Sequence, residues 1–368
     1  MINNTLNDIT QKKILPILEE TETLFYNAIK KTNNGIAGEV TLTAMPDLGL
    51  ANNVTRMKGG FYTGMYIEWD SDVPIVPIDS TINSCGVAIY ILKKEISVED
   101  FKIIVTDNVL DKIKNELHYN WNFERGNHFI TLGRFEDGRH CILMHASADE
   151  YKKDIKEKAL YPEPDVWYKN SIETIYSSTN KNRYLRYLSG EIADKFIKIA
   201  LELENINHVR MEEIANLLFG QYIDKESVFV PHYGMPTENS IAIGCSWNKE
   251  KSVLLSAPGK EIFIIIPNSN INIYEKKWLT PHGLGVSAEI SKILYEKEFI
   301  INDCVIKNTN DVKKIKNRTI RCKDINKEMF DKHISEILSK CNAKIDSVIQ
   351  PLATLSESGF KSFVNKEI

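Results

Sequence analysis

The chain has 368 residues, of which 43% are hydrophobic and 26% are charged, and its formal net charge is −4. These fractions are those of globular proteins and exclude the disordered and fibrous classes. The charge excludes a generally basic surface, so a nucleic acid would have to bind in a local basic groove. The six cysteines are scattered without paired spacing, which is typical of a reducing compartment and predicts a cytoplasmic protein.

The chain shows no sign of a membrane segment or a signal peptide. Its N-terminus is polar, and no run approaches the ~18 apolar residues that a bilayer span needs. The longest apolar stretch, Ile262–Pro267, has the length of a strand. We therefore expect no membrane partner.

Hydrophobic spacing predicts both helices and strands, and mainly strands beyond Gly220. The N-terminal helix is expected over 16–31, where Asn33-Asn34-Gly35 stops it, the clearest helix over 183–204, and the C-terminal helix over 325–339. Shorter helices are predicted over 98–104 and 111–117. Strands are predicted over 39–44, 64–68, 72–78, 86–92, 127–133, 139–145, 227–230, 240–245, 252–255, 261–266 and 270–275. Without a repeat or a Pro/Gly linker, one α+β domain over 1–368 is expected.

One cysteine and four of the eight histidines lie at predicted strand ends or in glycine-containing turns. They are Cys85, His128, His145, His232 and His282. Such positions hold side chains rigidly at the edge of a cleft. Imidazole and thiolate together suit Zn²⁺, or Mn²⁺ or Co²⁺ at mixed sites. Taken singly, each histidine is also explained as a hydrogen-bonded core residue. The other four are predicted to lie on the surface; they are His118, His140, His208 and His333.

Several short motifs are distributed along most of the chain. They are Ala44-Met45-Pro46-Asp47, Cys85-Gly86-Val87, Gly126-Asn127-His128-Phe129-Ile130, Cys141 to His145, His232-Tyr233 with Glu238, Ile266-Pro267-Asn268-Ser269, His282-Gly283-Leu284-Gly285 and Ile349-Gln350-Pro351-Leu352. In this order the chain resembles the RtcB-type RNA ligases. The resemblance implies a single α+β domain with mixed and antiparallel sheets around a central metal-binding cleft.

The resemblance also implies an activity. Members of that family join RNA ending in a 3′-phosphate or 2′,3′-cyclic phosphate to RNA with a 5′-hydroxyl, in RNA repair or tRNA splicing, using GTP and Mn²⁺. His282 would be the catalytic nucleophile that becomes guanylylated. The implied ligands of one or two metal ions are Cys85, His128, His145 and His232. The implied nucleotide contacts are Asn127, His282, Gly283 and Gly285. The sequence identifies no protein partner.

Several family positions hold different residues here. Ile82 replaces a metal-binding aspartate, for which Asn83 or Asp79 could substitute. Other replacements fall on Gly49, Thr131, Asp149, 254–257, Val286 and 356–359, and they remove mainly cationic phosphate contacts and the lysine that reads guanine. Candidates to compensate, each otherwise explained as a solvated surface charge, are Arg56, Lys58, Arg125, Lys181 and Arg183.

These replacements leave three functions open. The first is a divergent RNA ligase that uses His282. The second is a repurposed metal-dependent phosphodiesterase or nucleotidyl transferase. The third is a catalytically silent metal-binding protein on the same scaffold. Retention of a histidine nucleophile in a glycine turn favours the first two, whereas loss of the cationic residues favours the last two.

Overall fold

The computed structural model describes residues 1–36, 38–51, 54–107, 109–148, 157–178, 183–269, 277–285 and 327–364. Helix and strand contribute almost equally, 32% and 36%, so the predicted α+β class is confirmed. The strand predicted over 270–275 lies outside the described residues.

The helices and strands below are those of the described ranges. The helices are α1 (Ile9–Thr32), α2 (Val54–Lys58), α3 (Val98–Thr106), α4 (Val109–Glu116), α5 (Gly190–Phe219) and α6 (Lys327–Cys341). The strands are β1 (Ile2–Asn3), β2 (Val40–Gly49), β3 (Thr63–Trp69), β4 (Ile75–Pro77), β5 (Gly86–Leu92), β6 (Phe129–Phe135), β7 (His140–Ala146), β8 (Glu173–Tyr176), β9 (Tyr184–Ser189), β10 (Ile223–Pro231), β11 (Tyr233–Gly234), β12 (Ser240–Ile243), β13 (Cys245–Trp247), β14 (Ser252–Leu254), β15 (Ile262–Pro267), β16 (Leu279–Pro281), β17 (Ala343–Ser356) and β18 (Gly359–Ser362).

The strands in the described ranges form four sheets. The largest has eight strands in the order β10-β5-β7-β6-β17-β15-β14, with β18 paired to β17, and all its pairs are antiparallel. The others are a five-stranded sheet (β1-β2-β3-β12-β11), a three-stranded sheet (β4-β9-β8) and the pair β13-β16. The largest sheet brings together strands that are far apart in sequence, so its edge can collect side chains from distant motifs.

The sequence Glu136-Asp137-Gly138, between the strands predicted over 127–133 and 139–145, also predicts a hairpin, and the structure confirms it. Strands β6 and β7 pair antiparallel, and Phe129 lies opposite His145. On its other side β7 pairs with β5, where Val87 lies opposite His145. This register places His145 beside the start of β5, directly after Cys85.

Helix α1 begins at Ile9, seven residues earlier than predicted. Asp8 caps it: its carboxylate accepts from Gln11 N at 2.8 Å, and the Gln11 side chain accepts from Asp8 N at 3.2 Å. This reciprocal capping box supplies partners for two otherwise unpaired backbone N–H groups. Pro16, expected at the helix start, lies inside the helix. The capping residues therefore decided the boundary, not the proline.

The helix predicted over 183–204 is wrong at both ends. Residues Tyr184–Ser189 form β9, which pairs with β4 and β8. The chain changes direction at Gly190, the first residue of α5, which has a φ of +65°. The helix continues from there to Phe219. Apolar residues at helical spacing also suit a buried strand, and pairing with β4 decides between the two structures.

Helix α5 is long because it contributes to two cores. Ala193 and Phe196 in its first half belong to a cluster with α1, β2 and β3. Ile214 and Phe219 in its second half belong to a cluster with α3 and the face of β5, β6 and β7. The helix thereby crosses behind the strands that carry Cys85 and His145.

An ion pair between α5 and β10 makes part of the stability depend on pH. His208 Nε2 lies 2.8 Å from Glu226 Oε2, and its ring stacks on Phe229 with centroids 4.0 Å apart. The hydrogen bond to Glu226 raises the pKa of His208 above its usual 6.5. The pair therefore stabilises the fold fully below about pH 6.5, and this contribution is lost as pH rises through the raised pKa.

We expect Glu226→Gln to lower the free energy of unfolding by up to about 1 kcal/mol near pH 5.5, and by much less near pH 8.5. Urea unfolding of wild type and variant at both pH values measures the difference. Glu202→Gln, an exposed carboxylate on the same helix, is the control and should show no such change. An equal loss at both pH values would contradict the charged pair.

Candidate metal centre and adjacent histidine

Three of the predicted metal ligands meet in the interior. Cys85 Sγ lies 3.1 Å from His145 Nε2, which lies 3.2 Å from His232 Nε2. All three side chains are buried, and their ligand atoms lie within 4.8 Å of one another. Ligands of one tetrahedral Zn²⁺ are separated by about 3.3–3.6 Å, given its bond lengths. The donor set and its spacing therefore fit a single divalent ion.

The three ligands come from separate strand ends. Cys85 directly precedes β5, His145 lies near the end of β7, and His232 lies between β10 and β11. His232 N donates to Cys85 O at 3.0 Å, and Cys245 N donates to His232 O at 2.9 Å. Backbone hydrogen bonds thus fix the positions of the three ligand residues.

Burial keeps the ligand imidazoles neutral. Desolvation, with smaller contributions from neighbouring histidines, lowers the pKa of His145 to about 3 and lowers that of His232 well below its usual value. His145 Nδ1 donates to Asn127 O at 2.8 Å, which directs the lone pair of Nε2 toward Cys85 and His232. A backbone partner on the other ring nitrogen is typical of metal-binding histidines.

His282 lies beside this set but in a different environment. Its ring centroid is 5.2 Å from that of His232, and its side chain is 23% exposed. Nδ1 lies 2.7 Å from Asp47 Oδ2 and 3.1 Å from Gly244 O. Within the described part of the chain, Nε2 has no hydrogen-bond partner. A carboxylate on Nδ1 fixes the tautomer whose Nε2 carries a free lone pair.

Two glycines allow Asp47 and His282 to approach each other. Gly244 has a φ of +65°, and a Cβ there would lie 3.0 Å from His282 Nδ1; Gly285 has a φ of +60°, and its Cβ would lie 2.9 Å from Asp47 Cα. Gly283 bridges to Leu255. The glycines thus have packing roles, and nucleotide contact by Gly283 and Gly285 stays a prediction.

His128 and Asn127 lie next to the three-ligand set. The His128 ring is 5.8 Å from that of His145; its Nδ1 lies 3.1 Å from Asn122 O and its Nε2 3.2 Å from Ser147 Oγ. Metal binding by His128 stays a prediction and would require Ser147 to release Nε2. Asn127 contributes its backbone to His145, and contact of its exposed side chain with a nucleotide also stays a prediction.

The resemblance implies a metal-binding aspartate at the position of Ile82, and the two residues predicted to substitute for it, Asp79 and Asn83, have other partners. Ile82 is fully buried in the apolar core. Asp79 is fully buried and forms a bidentate pair with Arg186. Asn83 Oδ1 accepts from Cys85 N at 2.9 Å. Because the Asp79 carboxylate is paired and the Asn83 amide oxygen accepts from Cys85 N, binding of a second ion by either residue stays a prediction.

The candidate phosphate-binding cations divide into two groups. Arg183 is buried and donates to Glu20 Oε2 at 3.0 Å and Lys58 O at 2.7 Å, so it has a structural role. Arg56 is buried with its guanidinium 5.0 Å from the Tyr233 ring centroid. Lys58 and Arg125 are exposed. Lys181 lies outside the described residues.

His333 was predicted to lie on the surface, and this prediction is wrong. It is 4% exposed, and its Nε2 hydrogen-bonds to Leu284 O in the glycine turn that follows His282. Its neighbours Asp331, Lys332 and Glu336 are charged, which suggested exposure, but they occupy the other faces of α6. The contact ties this helix to the turn that carries His282.

A cavity of about 900 Å³ lies at the turn end of the β6–β7 hairpin, away from His145. Its lining includes Arg134, Phe135, Gly138, Lys260 and Phe330. These residues adjoin the β6–β7 turn, about 20 Å along the strands from His145. The candidate site therefore rests on the chemistry of its side chains rather than on this cavity, and the predicted central cleft stays a prediction.

Comparison with known proteins gives no family assignment. No family model matches the chain, and no curated protein matches it. None of the helices in the described ranges is both long and apolar enough to cross a bilayer. The geometry around Cys85 and His282 is thus the main basis for any functional conclusion.

Proposed function

We propose that the chain is a metal-dependent RNA ligase that acts through a covalent histidine intermediate. It would join RNA ends carrying a 3′-phosphate or 2′,3′-cyclic phosphate to ends carrying a 5′-hydroxyl, with GTP as nucleotide. The observation that carries this proposal is the hydrogen bond between Asp47 and His282, placed beside the set of Cys85, His145 and His232.

The chemistry begins at His282 Nε2. Asp47 accepts the Nδ1 proton in a hydrogen bond, so the Nε2 lone pair is available to attack the α-phosphorus of GTP. A P–N bond forms while the bond to pyrophosphate breaks, and pyrophosphate leaves with that electron pair. Asp47 stabilises the positive charge that develops on the ring. The GMP then passes to the RNA 3′-phosphate as the P–N bond to His282 breaks; a 2′,3′-cyclic phosphate is first opened by water to the 3′-phosphate. The 5′-hydroxyl attacks the activated phosphate, and GMP leaves with the electron pair of the bond that breaks.

Cys85, His145 and His232 would hold the ion. Bound there, Mn²⁺, Zn²⁺ or Co²⁺ would neutralise negative charge on phosphate oxygens next to His282. A thiolate and two neutral imidazoles are typical Zn²⁺ ligands, whereas Mn²⁺ is proposed from the resemblance to the RNA ligases.

The structural role of Arg183 favours a second candidate, a phosphodiesterase or nucleotidyl transferase that does not use GTP. Each lost contact between a cation and a phosphate costs about 1.5–3 kcal/mol, and the pairing of Arg183 removes one candidate replacement. A silent metal-binding protein is disfavoured, because it has no use for a partly exposed histidine whose tautomer is fixed by Asp47.

Labelling with α-³²P-GTP and Mn²⁺ tests the first candidate. We expect label on the wild type after denaturing electrophoresis, none on His282→Ala, and normal label on His118→Ala, an exposed histidine that serves as control. Unlabelled wild type that still binds metal would contradict the use of GTP. Hydrolysis of a 2′,3′-cyclic phosphate RNA by that protein would then support the second candidate.

A further inference from the structure

Asn207 on α5 connects the two strands that carry metal ligands. Its side chain is 0% exposed, and Nδ2 donates to Ser84 O at 2.8 Å and to Ala146 O at 3.0 Å. Ser84 directly precedes Cys85, and Ala146 directly follows His145. One amide thus holds the backbone on both sides of the ligand pair.

The backbone that Asn207 holds is in a strained conformation. Ser84 has a φ of +51°, in the left-handed region that residues other than glycine seldom adopt. Such conformations persist only where surrounding contacts fix them. Contacts that hold this segment include the bond from Asn207 to Ser84 O, the bond from Cys85 N to Asn83 Oδ1 and the bond from His232 N to Cys85 O. Of these, the bond from Asn207 acts on the strained residue itself and so contributes to the direction of Cys85.

We infer that Asn207 is a positioning residue of the metal centre. By holding Ser84 O and Ala146 O together, its amide sets Cys85 Sγ and His145 Nε2 at the separation that one ion requires. This inference rests on the proposed metal centre and adds a residue that contacts neither the ion nor the substrate. A residue of this kind should affect metal affinity more strongly than it affects folding.

The position on α5 supports this role. Asn207 faces the backbone next to Cys85 and His145, whereas the nearby Asn205 of the same helix is exposed. The regular pairing of β5 with β7 ends at Gly86 and Ala146. Beyond this last pair, the Asn207 amide makes the hydrogen bonds that hold the two segments together. Apolar side chains at 207 would leave both carbonyls without this donor.

Binding of Co²⁺ to Asn207→Leu and Asn207→Asp tests the inference. Leucine keeps the volume without the donor, and aspartate keeps the shape with only acceptors. We expect the Kd for Co²⁺ to rise 10- to 100-fold in both, as for other residues that orient metal ligands, with a weaker thiolate-to-cobalt absorption band. Competition with a chelator gives the Kd, and the band reports the bond from Cys85.

Two controls separate positioning from general destabilisation. Asn205→Leu should bind Co²⁺ like the wild type. Ile214→Ala, a core variant on the same helix, should lower Tm without changing the Kd. An unchanged Kd and band in a folded variant at 207 would overturn the inference while leaving the metal centre intact. Failure of the wild type itself to bind Co²⁺ would overturn the metal centre and the inference together.

Discussion

Replacing Asp47 by Asn is expected to slow formation of the His282 adduct by roughly 10²- to 10⁴-fold, the loss expected when a residue that fixes a histidine tautomer is removed. The carboxylate accepts the Nδ1 proton, with Oδ2 2.7 Å away. An amide in its place carries no charge to stabilise the positive charge that develops on the ring. It can also donate to Nδ1 in competition with the bond from Nδ1 to Gly244 O, which moves the ring proton to Nε2 and removes the nucleophilic lone pair.

The rate should be measured under single-turnover conditions with labelled GTP, together with the metal content of each sample. Asp47 is not among the three ligands that meet near Cys85, so the metal content of Asp47→Asn should be unchanged. Asp70→Asn, an exposed carboxylate, should label like the wild type. A normal labelling rate in Asp47→Asn would remove the carboxylate from the proposed chemistry.

Replacing Cys85 by Ala is expected to weaken metal binding by at least about 100-fold and to abolish the adduct as well. Loss of a residue that only orients a ligand costs 10- to 100-fold in affinity, so loss of a ligand itself should cost at least as much. Of the three residues whose ligand atoms lie within 4.8 Å of one another, only His145 and His232 would remain.

Elemental analysis after dialysis against a weak chelator measures the loss. The matched control is Cys141→Ala, which removes a free, fully buried thiol from β7 without touching the site. His282→Ala should keep the metal and lose only the adduct, so the two variants separate binding from chemistry. Full metal in Cys85→Ala would show that the site is wrong.

The sequence predictions were correct mainly where residues close together in the chain set the structure. Strand β5 was predicted to the residue, and the strands of the β6–β7 hairpin to within two residues, because continuous apolar runs and an Asp-Gly turn are local signals. The start of α1 was missed although Asp8 and Gln11 signal it. Tyr184–Ser189 was predicted as helix because its apolar spacing suits either structure until β4 supplies a partner.

The sequence by itself determined the α+β class and named Cys85, His145, His232 and His282, because reactive side chains at strand ends and glycine turns are visible in the chain. Tertiary structure alone decided that the first three form one buried set and that Asp47 holds His282. It also turned Asp79 toward Arg186, buried His333 and placed Asn207 behind both ligand strands. The physical reason is that distances between residues far apart in sequence depend on strand order and register, and neither is written in any local pattern.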